Sequence, residues 1–270
     1  MSSGVRGDDR RSTVLITGAA GRLGRVLRAG LASERRLLRL HDRVSLGEPG
    51  PHEEVVHGDL GDFDATLALT GGVDTVVHLA GIPDEAPFDD LLAANFVATH
   101  HVFEAARRCG VRRVVFASSN HVIGFHPRSL RLDPDCERRP DTLYGVSKSF
   151  GEDLARLYHD KWGLEAVCVR IGSFRDQPED VRQLSTWLSH RDGVHLFDRS
   201  IEAVSVGFLV VYGVSANTRS WWSNDAVGSV LGYAPLDDAE SFADLLPAAA
   251  SDSDVQGGLF AAPDYEGGMG

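Results

Sequence analysis

The sequence is poor in cysteine, and its few cysteines stand far apart. The 270 residues include three of them, Cys109, Cys136 and Cys168. An odd number of widely spaced thiols matches neither a disulfide framework nor the paired spacing of a zinc site. We therefore expect isolated reduced thiols and no metal site.

Long apolar runs are also missing. No stretch approaches the roughly 18 apolar residues of a membrane-spanning helix. The segment Met1–Ser12 is polar and lacks the apolar core of a signal peptide. We therefore expect a cytoplasmic protein with no membrane partner.

Positive charge is scarce relative to negative charge. The chain has 27 Lys and Arg residues against 39 Asp and Glu residues, which gives a formal net charge of −12. This excess of negative charge argues against nucleic acid or an anionic membrane surface as a partner. A hydrophobic share of 43% and a charged share of 24% are otherwise ordinary for a globular domain.

Short apolar, β-branched runs alternate with segments of helical periodicity along the chain. The first strand candidate is Thr13–Thr17, and the first helix candidate is Arg22–Ala32. The other strand candidates are Leu37–Leu40, Glu54–His57, Asp74–Leu79, Arg113–Ser118 and Leu164–Ile171, and the other helix candidates are Leu91–Cys109 and Tyr144–Trp162. This alternation predicts an α/β fold with a doubly wound parallel (Rossmann) sheet, whose ligands bind at the carboxyl ends of the strands.

Three evenly spaced glycines follow the first strand. Gly18 suits a tight turn, Gly21 lets the backbone approach a pyrophosphate, and Gly24 lets the next helix pack on the sheet. The intervening Arg22 and Leu23 open that helix, whose amides and dipole favour phosphate. The alternative is an ordinary strand, turn and helix with incidental glycines. Because the triplet connects the first strand to the first helix, we favour a dinucleotide site.

Acidic residues follow the second and third strands. An acid at Asp42 would accept hydrogen bonds from ribose hydroxyls and repel a 2′-phosphate, which favours NAD over NADP. The neighbouring Arg43 points the other way, because an arginine could bind that phosphate. Asp59 and Leu60 end the third strand, where contact with the adenine and a solvated loop are equally good interpretations.

A tyrosine and a lysine stand four residues apart on one predicted helix. Tyr144 and Lys148 would then share a helix face. A free tyrosine is a poor base at neutral pH, but a nearby ammonium and a nicotinamide cation would both favour the phenolate. Such a pair alone often marks a solvated helix face. Ser118 and Ser119, at the end of the preceding strand, favour catalysis, because that strand delivers a hydroxyl to the cofactor rim.

These motifs together resemble the extended short-chain dehydrogenase/reductase superfamily. The shared pieces are TGAAGRLG, HLAG (His78–Gly81), Asn95, SSNHVIG (Ser118–Gly124) and YGVSK. In that superfamily the position of the catalytic serine selects Ser119. Ile123 replaces the tyrosine that many relatives carry nearby.

Within this superfamily, the chain is most similar to the uronate dehydrogenase family. The similarity runs from Val14 to Phe260. Its most specific pieces are ASSNHVIG, RPDTLYGVSKSFGE, VRIGS, RQLSTWLSH, SANTRSWW and QGGLF. The resemblance implies NAD-dependent oxidation of galacturonate or glucuronate at the anomeric carbon, giving an aldarolactone. It also implies a homo-oligomer.

The resemblance assigns roles to individual residues. Tyr144 is the base, assisted by Lys148. The residues expected to contact the sugar are Ser119, Asn120, His121, Tyr144, Ser173 and Arg182. The residues expected to contact the cofactor are Gly18, Gly21, Arg22, Leu23, Gly24, Asp42, Asp59, Leu60, Leu79, Ala80, Gly81, Ser118, Tyr144, Lys148 and Ile171.

Arg182 is assigned to the uronate carboxylate. A planar guanidinium can hold a carboxylate through two parallel hydrogen bonds, and an acidic protein needs a local cation for an acidic sugar. Without the resemblance, a surface arginine would be the better interpretation of Arg182, and a core histidine that of His121.

The chain departs from the family at one position near the substrate. A serine commonly follows the Gly-Ile after the fourth strand and hydrogen-bonds the sugar, whereas Pro83 stands here without a donor. The segment Phe174–Asp180 also differs from the family pattern. We therefore expect altered selectivity among uronic acids or altered affinity for them.

Four segments are predicted along the chain. They are a disordered tail at residues 1–11, an NAD-binding Rossmann domain at 12–172, a small substrate-binding region at 173–247 and a C-terminal tail at 248–270. Composition predicts a loose C-terminal tail, whereas the resemblance through Gln256–Phe260 suggests that it folds back toward the site.

Two other functions compete with uronate oxidation. A sugar-nucleotide epimerase or dehydratase uses the same three catalytic residues with retained NAD, but needs a larger substrate region than the chain offers. A non-catalytic NAD-binding scaffold or sensor is the alternative of another class. Such proteins often lose the tyrosine or the lysine, and both are present here.

Overall fold

The computed structural model describes residues 11–225, 228–247 and 253–268. Its strands are β1 (Ser12–Thr17), β2 (Arg36–Asp42), β3 (Glu53–His57), β4 (Thr75–His78), β5 (Arg113–Ser119), β6 (Glu165–Ile171), β7 (Ser173–Phe174), β8 (Trp187–Leu188) and β9 (Phe208–Gly213). Seven of them form one parallel sheet in the order β3-β2-β1-β4-β5-β6-β9. The predicted doubly wound parallel sheet is confirmed.

Helices connect these strands. They are α1 (Arg22–Leu31), α2 (Phe63–Thr70), α3 (Phe88–Leu91), α4 (Ala98–Arg108), α5 (Leu143–Trp162), α6 (Gln183–Thr186), α7 (His190–Glu202) and α8 (Gly228–Leu231). A π-helical segment, Leu92–Val97, joins α3 to α4, and short 3-10 helices occupy Asn120–Ile123, Ala239–Leu245 and Gly258–Ala261. None of the described helices is long and apolar enough to cross a membrane.

Both faces of the sheet are buried, as its near-continuous apolar strands require. Because side chains alternate along a strand, Val14 and Ile16 of β1 enter one core, whereas Leu15 enters the other. Helices α1 and α7 cover the first face, and α2, α4 and α5 cover the second. Helices therefore pack on both faces of the sheet.

The strand order reverses beside β1. The chain runs outward from β1 to β2 and β3, then returns to place β4 on the opposite side of β1. The loops that leave β1 and β4 therefore diverge and open a crevice at the carboxyl edge. This crevice is the expected ligand position for such a sheet.

Helix α5 begins at Leu143, one residue before the predicted start, and ends at Trp162 as predicted. The Thr142 hydroxyl accepts from the Gly145 N–H at 2.9 Å and caps the first turn. Gly163 ends the helix with φ +73°, the left-handed conformation that glycine adopts most readily. The helix therefore holds Tyr144 in its first turn, at the rim of the sheet.

Residues 173–247 contribute elements of two kinds. The two-stranded β7–β8 sheet and α6 lie next to the carboxyl edge, whereas α7 and β9 complete the layers of the main fold. Strand β9 was not among the strand candidates of the sequence. The division at residues 172 and 173 stays a prediction.

The predicted tails fall partly outside the described residues. Of the predicted tail 1–11, only Arg11 is described, and its Nε donates to the Glu34 carbonyl at 3.0 Å. In the C-terminal tail, residues 248–252 and 269–270 lie outside the description. Residues 253–268 pack along the carboxyl edge, where Gln256 is fully buried.

Candidate active site

A continuous cavity of about 1760 Å³ opens at the carboxyl edge of the sheet. It runs from the glycine loop after β1 to the 3-10 helix Gly258–Ala261. Every residue that the sequence assigns to a cofactor or a substrate lines it. The fold therefore brings all of these predicted site residues into one space.

The glycine loop is closed against its neighbours by backbone contacts. Gly18 has φ +72°, and a Cβ there would lie 2.7 Å from the Ala80 nitrogen. A Cβ at Gly24 would lie 2.5 Å from the Gly18 carbonyl oxygen, and one at Gly21 3.2 Å from the same atom. Side chains at these positions would therefore displace the loop or narrow the space above it.

The N-terminus of α1 carries no side-chain cap. Gly21 stands at the cap position, and no side chain there accepts from the first helical amides. Gly21, Arg22, Leu23 and Gly24, which form this end of the helix, line the cavity. A glycine cradle followed by an uncapped helix N-terminus fits a pyrophosphate.

Asp42 ends β2 directly beside the glycine loop. One of its carboxylate oxygens accepts from the Ala20 N–H at 2.9 Å, and the other accepts from the Val44 N–H at 3.0 Å. Each oxygen keeps a second lone pair for ribose hydroxyls. Arg43 is exposed and also lines the cavity.

We call the part of the cavity beside the glycine loop and Asp42 the cofactor half, and the part beside Arg182 the substrate half. Two further segments border the cofactor half. Asp59 is exposed, with its Oδ1 accepting from the Gly61 N–H at 2.9 Å, whereas Leu60 is buried. The segment Leu79–Gly81, which comes directly after β4, lies beside the loop of Gly18. The Leu79 N–H donates to the Thr17 carbonyl at 3.2 Å.

The loop after β4 is clamped by Asn95, which lies in the π-helical segment. The Asn95 amide accepts from the Ile82 N–H at 2.7 Å and donates to the Ile82 carbonyl at 3.0 Å. The same amide donates to the Ser147 hydroxyl of α5 at 2.9 Å. Pi-helical turns recur at functional sites, and Asn95 lies in such a turn.

Ser119, Tyr144 and Lys148 meet at the centre of the cavity. All three are buried. The Lys148 Nζ lies 5.7 Å from the centre of the Tyr144 ring and 5.1 Å from that of Phe116. Ser119 ends β5, and Tyr144 and Lys148 occupy successive turns of α5, which packs against β5.

Burial controls the ionisation of this group. It raises the pKa of Tyr144 to about 12, and a hydrogen bond with the Ser119 side chain offsets part of the increase. Burial also lowers the pKa of Lys148 to about 8. Within the protein alone, burial therefore outweighs the stabilisation of the phenolate that the sequence leads us to expect from Lys148.

Ser118 lines the cavity but directs its hydroxyl elsewhere. That hydroxyl donates to buried Glu152 at 2.6 Å. Glu152 also accepts from Arg170 at 2.9 and 2.8 Å and from Arg138 at 3.1 Å. Ser118 can therefore offer its backbone to a cofactor, while its side chain ties β5 to α5.

Arg182 is held by its neighbours at the far end of the cavity. Its Nε donates to the Gln256 carbonyl at 2.9 Å. With the Asn120 amide oriented to satisfy its contacts, Asn120 donates to the Ile171 carbonyl at 3.0 Å and accepts from Arg182 Nη2 at 2.9 Å. Burial lowers the pKa of Arg182 to about 10, which leaves it cationic at neutral pH.

Two other predicted sugar contacts already have protein partners. The Ser173 hydroxyl lies 2.9 Å from the Thr186 hydroxyl. His121 is buried, its Nδ1 lies 2.9 Å from Asp141 Oδ2, and its ring stacks on Phe260 with 3.9 Å between the ring centres. Pro83 is exposed and lines the same cavity.

The segment 253–268 joins the site to the loop after β4. The Tyr265 hydroxyl donates to buried Asp84 at 2.6 Å, and the Gly268 N–H donates to Asp84 at 3.0 Å. The adjacent Glu85 accepts from the Tyr144 N–H at 3.0 Å. The C-terminal segment therefore supports the loop that carries Pro83.

Several supporting residues were not identified from the sequence. Asp141, Gln256 and Glu85 each contact a predicted site residue but belong to no chemical motif. Asn95 and QGGLF counted only as pieces of a resemblance. Asp141 likewise lies within the piece RPDTLYGVSKSFGE, and its position three residues before Tyr144 is the sequence signal that could have marked it.

The sequence is similar to a known family and to known enzymes. The model of the NAD dependent epimerase/dehydratase family matches residues 14–189. The uronate dehydrogenase of Pseudomonas syringae pv. tomato is 47% identical over 256 residues, covering 92% of this chain and 93% of the relative. That of Agrobacterium fabrum is 50% identical over 229 residues, covering 85% of this chain and 86% of the relative.

A solved structure shares the fold at similar identity. A mutant uronate dehydrogenase from Agrobacterium tumefaciens, complexed with NAD, superposes with a TM-score of 0.90 at 46% identity. The match covers 94% of this chain and 99% of that chain.

Proposed function

This chain belongs to the NAD dependent epimerase/dehydratase family and, within it, to the uronate dehydrogenases, and on that premise we propose how its cavity works. The reaction is NAD-dependent oxidation of a hexuronic acid, galacturonate or glucuronate, at the anomeric carbon, giving an aldarolactone. The assignment of catalytic and substrate-binding residues rests on one observation. Buried Ser119, Tyr144 and Lys148 share a single cavity with Arg182, which its neighbours hold by two of its nitrogens.

The residues of the cofactor half fit NAD. Gly18 and Gly21 would leave room for the pyrophosphate, the first amides of α1 would donate to it, and Asp42 would accept from the ribose hydroxyls. Bound NAD supplies the hydride acceptor and a positive charge near Tyr144. Asp59 and Leu60 would border the adenine, and Leu79–Gly81, Ser118 and Ile171, which line the same cavity, would contact the rest of the cofactor.

Tyr144 takes the proton from the anomeric hydroxyl. Because burial raises its pKa to about 12, the phenol needs nearby positive charge to release its own proton at neutral pH. Lys148 supplies part of that charge. Ser119 binds the reacting oxygen next to the phenol. Its side chain is placed for this role because it forms a hydrogen bond with Tyr144. The C1–O1 bond becomes the lactone carbonyl as C1 loses its hydride.

Arg182 binds the sugar carboxylate. Its Nε and Nη2 are occupied by Gln256 and Asn120, and no described residue accepts from its Nη1. This arrangement fixes the plane of the guanidinium and leaves donors for a carboxylate. Asn120, His121 and Ser173 border the same space and are assigned to the sugar hydroxyls.

The comparisons favour the dehydrogenase over both alternatives. Relatives with about half of their residues identical are uronate dehydrogenases, rather than sugar-nucleotide epimerases or non-catalytic scaffolds. The finer predictions of a homo-oligomer and a cytoplasmic location remain proposals. Light scattering at known concentration tests the first, and cell fractionation tests the second.

The function is tested by an absorbance assay. Purified protein mixed with NAD and galacturonate or glucuronate should release NADH in an amount equal to the sugar consumed. NADP in place of NAD tests the role assigned to Asp42. Absence of turnover on every uronate would overturn the proposed function, and product without net NADH would indicate the epimerase instead.

A further inference from the structure

A shielded carboxylate lies behind His121. The Asp141 side chain has no solvent exposure, and its oxygens lie 2.9 and 3.1 Å from His121 Nδ1. The His121 side chain itself is 9% exposed and faces the cavity. A buried carboxylate beside one ring nitrogen fixes the orientation of the imidazole.

Two glycines make room for this carboxylate. A Cβ at Gly124 would lie 1.7 Å from Asp141 Oδ2, and one at Gly257 would lie 1.9 Å from it. The carboxylate thus fills the volume of two absent side chains. One of these glycines follows the 3-10 helix that carries His121, and the other belongs to the segment that holds Arg182.

Asp141 also lies next to the start of helix α5 in the chain. It directly precedes Thr142, the N-cap residue of α5, and its N–H donates to the His121 carbonyl at 3.3 Å. The His121 N–H in turn donates to the Ser119 hydroxyl at 3.2 Å. His121 is therefore fixed to Ser119 through its backbone and to Asp141 through its ring.

The contact with Asp141 determines which nitrogen of His121 carries the proton. A carboxylate can only accept, so Nδ1 must be the donor. In the neutral ring Nε2 is then an acceptor. No described residue hydrogen-bonds Nε2, and this atom is not among the described buried atoms that lack a partner. Nε2 is therefore open to the cavity.

An acceptor at this position complements the donors of the neighbouring site residues. Arg182 and Lys148 can only donate hydrogen bonds, and the Ser119 hydroxyl already accepts from His121. Each sugar hydroxyl that becomes buried brings a donor, and an unpaired buried donor is costly. The His121 ring lies 6.0 Å from the Tyr144 ring, centre to centre, so its fixed acceptor can pair with one such donor beside the phenol.

We infer that Asp141 is a positioning residue that holds His121 in its Nδ1–H form, so that Nε2 accepts a hydrogen bond from one ring hydroxyl of the sugar. The inference rests on the proposed function, because it takes a uronate as the ligand. Its consequence is selectivity. A sugar that lacks or misplaces this hydroxyl loses the contact.

The tautomer can be measured without any turnover. Long-range ¹H–¹⁵N correlation of histidine-labelled protein distinguishes the two neutral tautomers and the imidazolium, and a His121→Gln variant assigns the signal among the 11 histidines. The Nδ1–H form is expected in the wild type. In Asp141→Asn, the amide can donate to Nδ1, and the Nε2–H form should gain intensity. An Nε2–H ring or an imidazolium in the wild type would overturn the inference.

Kinetics test the hydroxyl contact. In His121→Gln the KM for galacturonate should rise about five- to tenfold, as expected for one lost hydrogen bond, while the KM for NAD stays unchanged. Asp141→Asn should show a similar increase, and the double variant should show no further loss, because both act through one contact. Additive losses would contradict this coupling.

Deoxy analogues identify the hydroxyl, and a control guards against general damage. With 2-, 3- and 4-deoxygalacturonate, the loss caused by His121→Gln should disappear for one analogue; an equal loss for all three would overturn the contact. Asp192→Asn changes another buried carboxylate, away from the cavity, and should leave all constants unchanged. Failure of the wild type on every uronate would remove the proposed function but leave the tautomer result standing.

Discussion

The two halves of the cavity are built in different ways. The cofactor half is formed by the backbone of loops that leave adjacent strands, where glycines make room and helix amides supply donors. The substrate half depends on individual side chains that meet from distant parts of the chain. Arg182 and Gln256, for example, stand 74 residues apart and join through one hydrogen bond.

This difference predicts which substitutions impair binding in each half. In the cofactor half, an added methyl group should do more damage than a lost side chain, because the backbone forms the site. In the substrate half, loss of one side chain should remove one recognition contact and leave NAD binding intact. Tyr144 stands at the boundary, so its loss should stop the chemistry without emptying either half.

The largest expected effect is that of Tyr144→Phe. Removal of the proton acceptor should lower kcat by about 10²- to 10⁴-fold. Calorimetry should find the Kd for NAD within about twofold of the wild type, because the ring remains. Tyr158→Phe removes another buried hydroxyl from α5, one that bonds Glu104 at 3.0 Å, and should keep full activity. Comparable turnover in Tyr144→Phe would place the base elsewhere.

Gly18→Ala tests the backbone character of the cofactor half. Its Cβ would lie 2.7 Å from the Ala80 nitrogen, so the loop must shift, and the Kd for NAD should rise at least about tenfold. Gly72→Ala is a matched control with the same φ of +72° and nothing within 4 Å of the added Cβ. Equal effects of the two substitutions on NAD binding would show that the loss comes from backbone strain at positive φ, and not from the contact of the added Cβ with Ala80.

Lys148→Met separates stability from activity. Burial lowers the pKa of Lys148 from 10.5 to about 8, so the charged form destabilises the folded state by about 3 kcal/mol below pH 8. Between pH 8 and 10.5 the unfolded state binds more protons, and the stability of the wild type rises with pH. The variant should therefore be more stable at pH 7, with little advantage above pH 10.5, and less active.

Urea unfolding at pH 7 and at the highest pH that preserves the fold measures this difference. Lys161→Met, which changes an exposed lysine of the same helix, should leave the unfolding free energy nearly unchanged at both pH values. Identical stability of wild type and Lys148→Met at pH 7 would mean that the burial of this charge has no cost.

Of the two substitutions in the cofactor half, Asp42→Ala carries the smaller expected effect. It removes one ribose contact and the acceptor for the Ala20 N–H, but leaves the glycine loop in place. We expect kcat/KM with NAD to fall about tenfold and the preference over NADP to narrow, because the charge that opposes a 2′-phosphate is gone. An unchanged ratio of NAD to NADP activity would assign cofactor choice to another residue, with exposed Arg43 the first to test.

The contrast between the halves also explains what the sequence could predict. The parallel sheet was predicted from the alternation of apolar runs with helical segments, the cofactor loop from the glycine spacing, and the catalytic group from the Tyr144–Lys148 pair together with Ser118 and Ser119, all of them local patterns. The Rossmann architecture and the cap at Gly163 are confirmed. Strand β9 was missed because Phe208–Gly213 is a short apolar run with no motif beside it.

The supports of the substrate half could not be predicted in the same way. The carbonyl of Gln256 and the carboxylate of Asp141 act on Arg182 and His121 only after the chain has folded. Composition also suggested a loose C-terminal tail, yet Gln256 is buried by hydrogen bonds to Pro127, Leu130 and Trp222. Tertiary contacts of single side chains leave no periodic trace in the sequence.

The central claim is that Arg182 makes this dehydrogenase specific for an acidic sugar. Its most direct test compares kcat/KM for galacturonate and galactose in the wild type and in Arg182→Met, with Arg156→Met, which changes an exposed arginine of α5, as the control. We expect Arg182→Met to lower kcat/KM for galacturonate by about 100-fold or more, as lost charge-assisted hydrogen bonds imply, and to leave galactose within about twofold. An equal loss on both sugars, or a retained preference for galacturonate, would contradict the account.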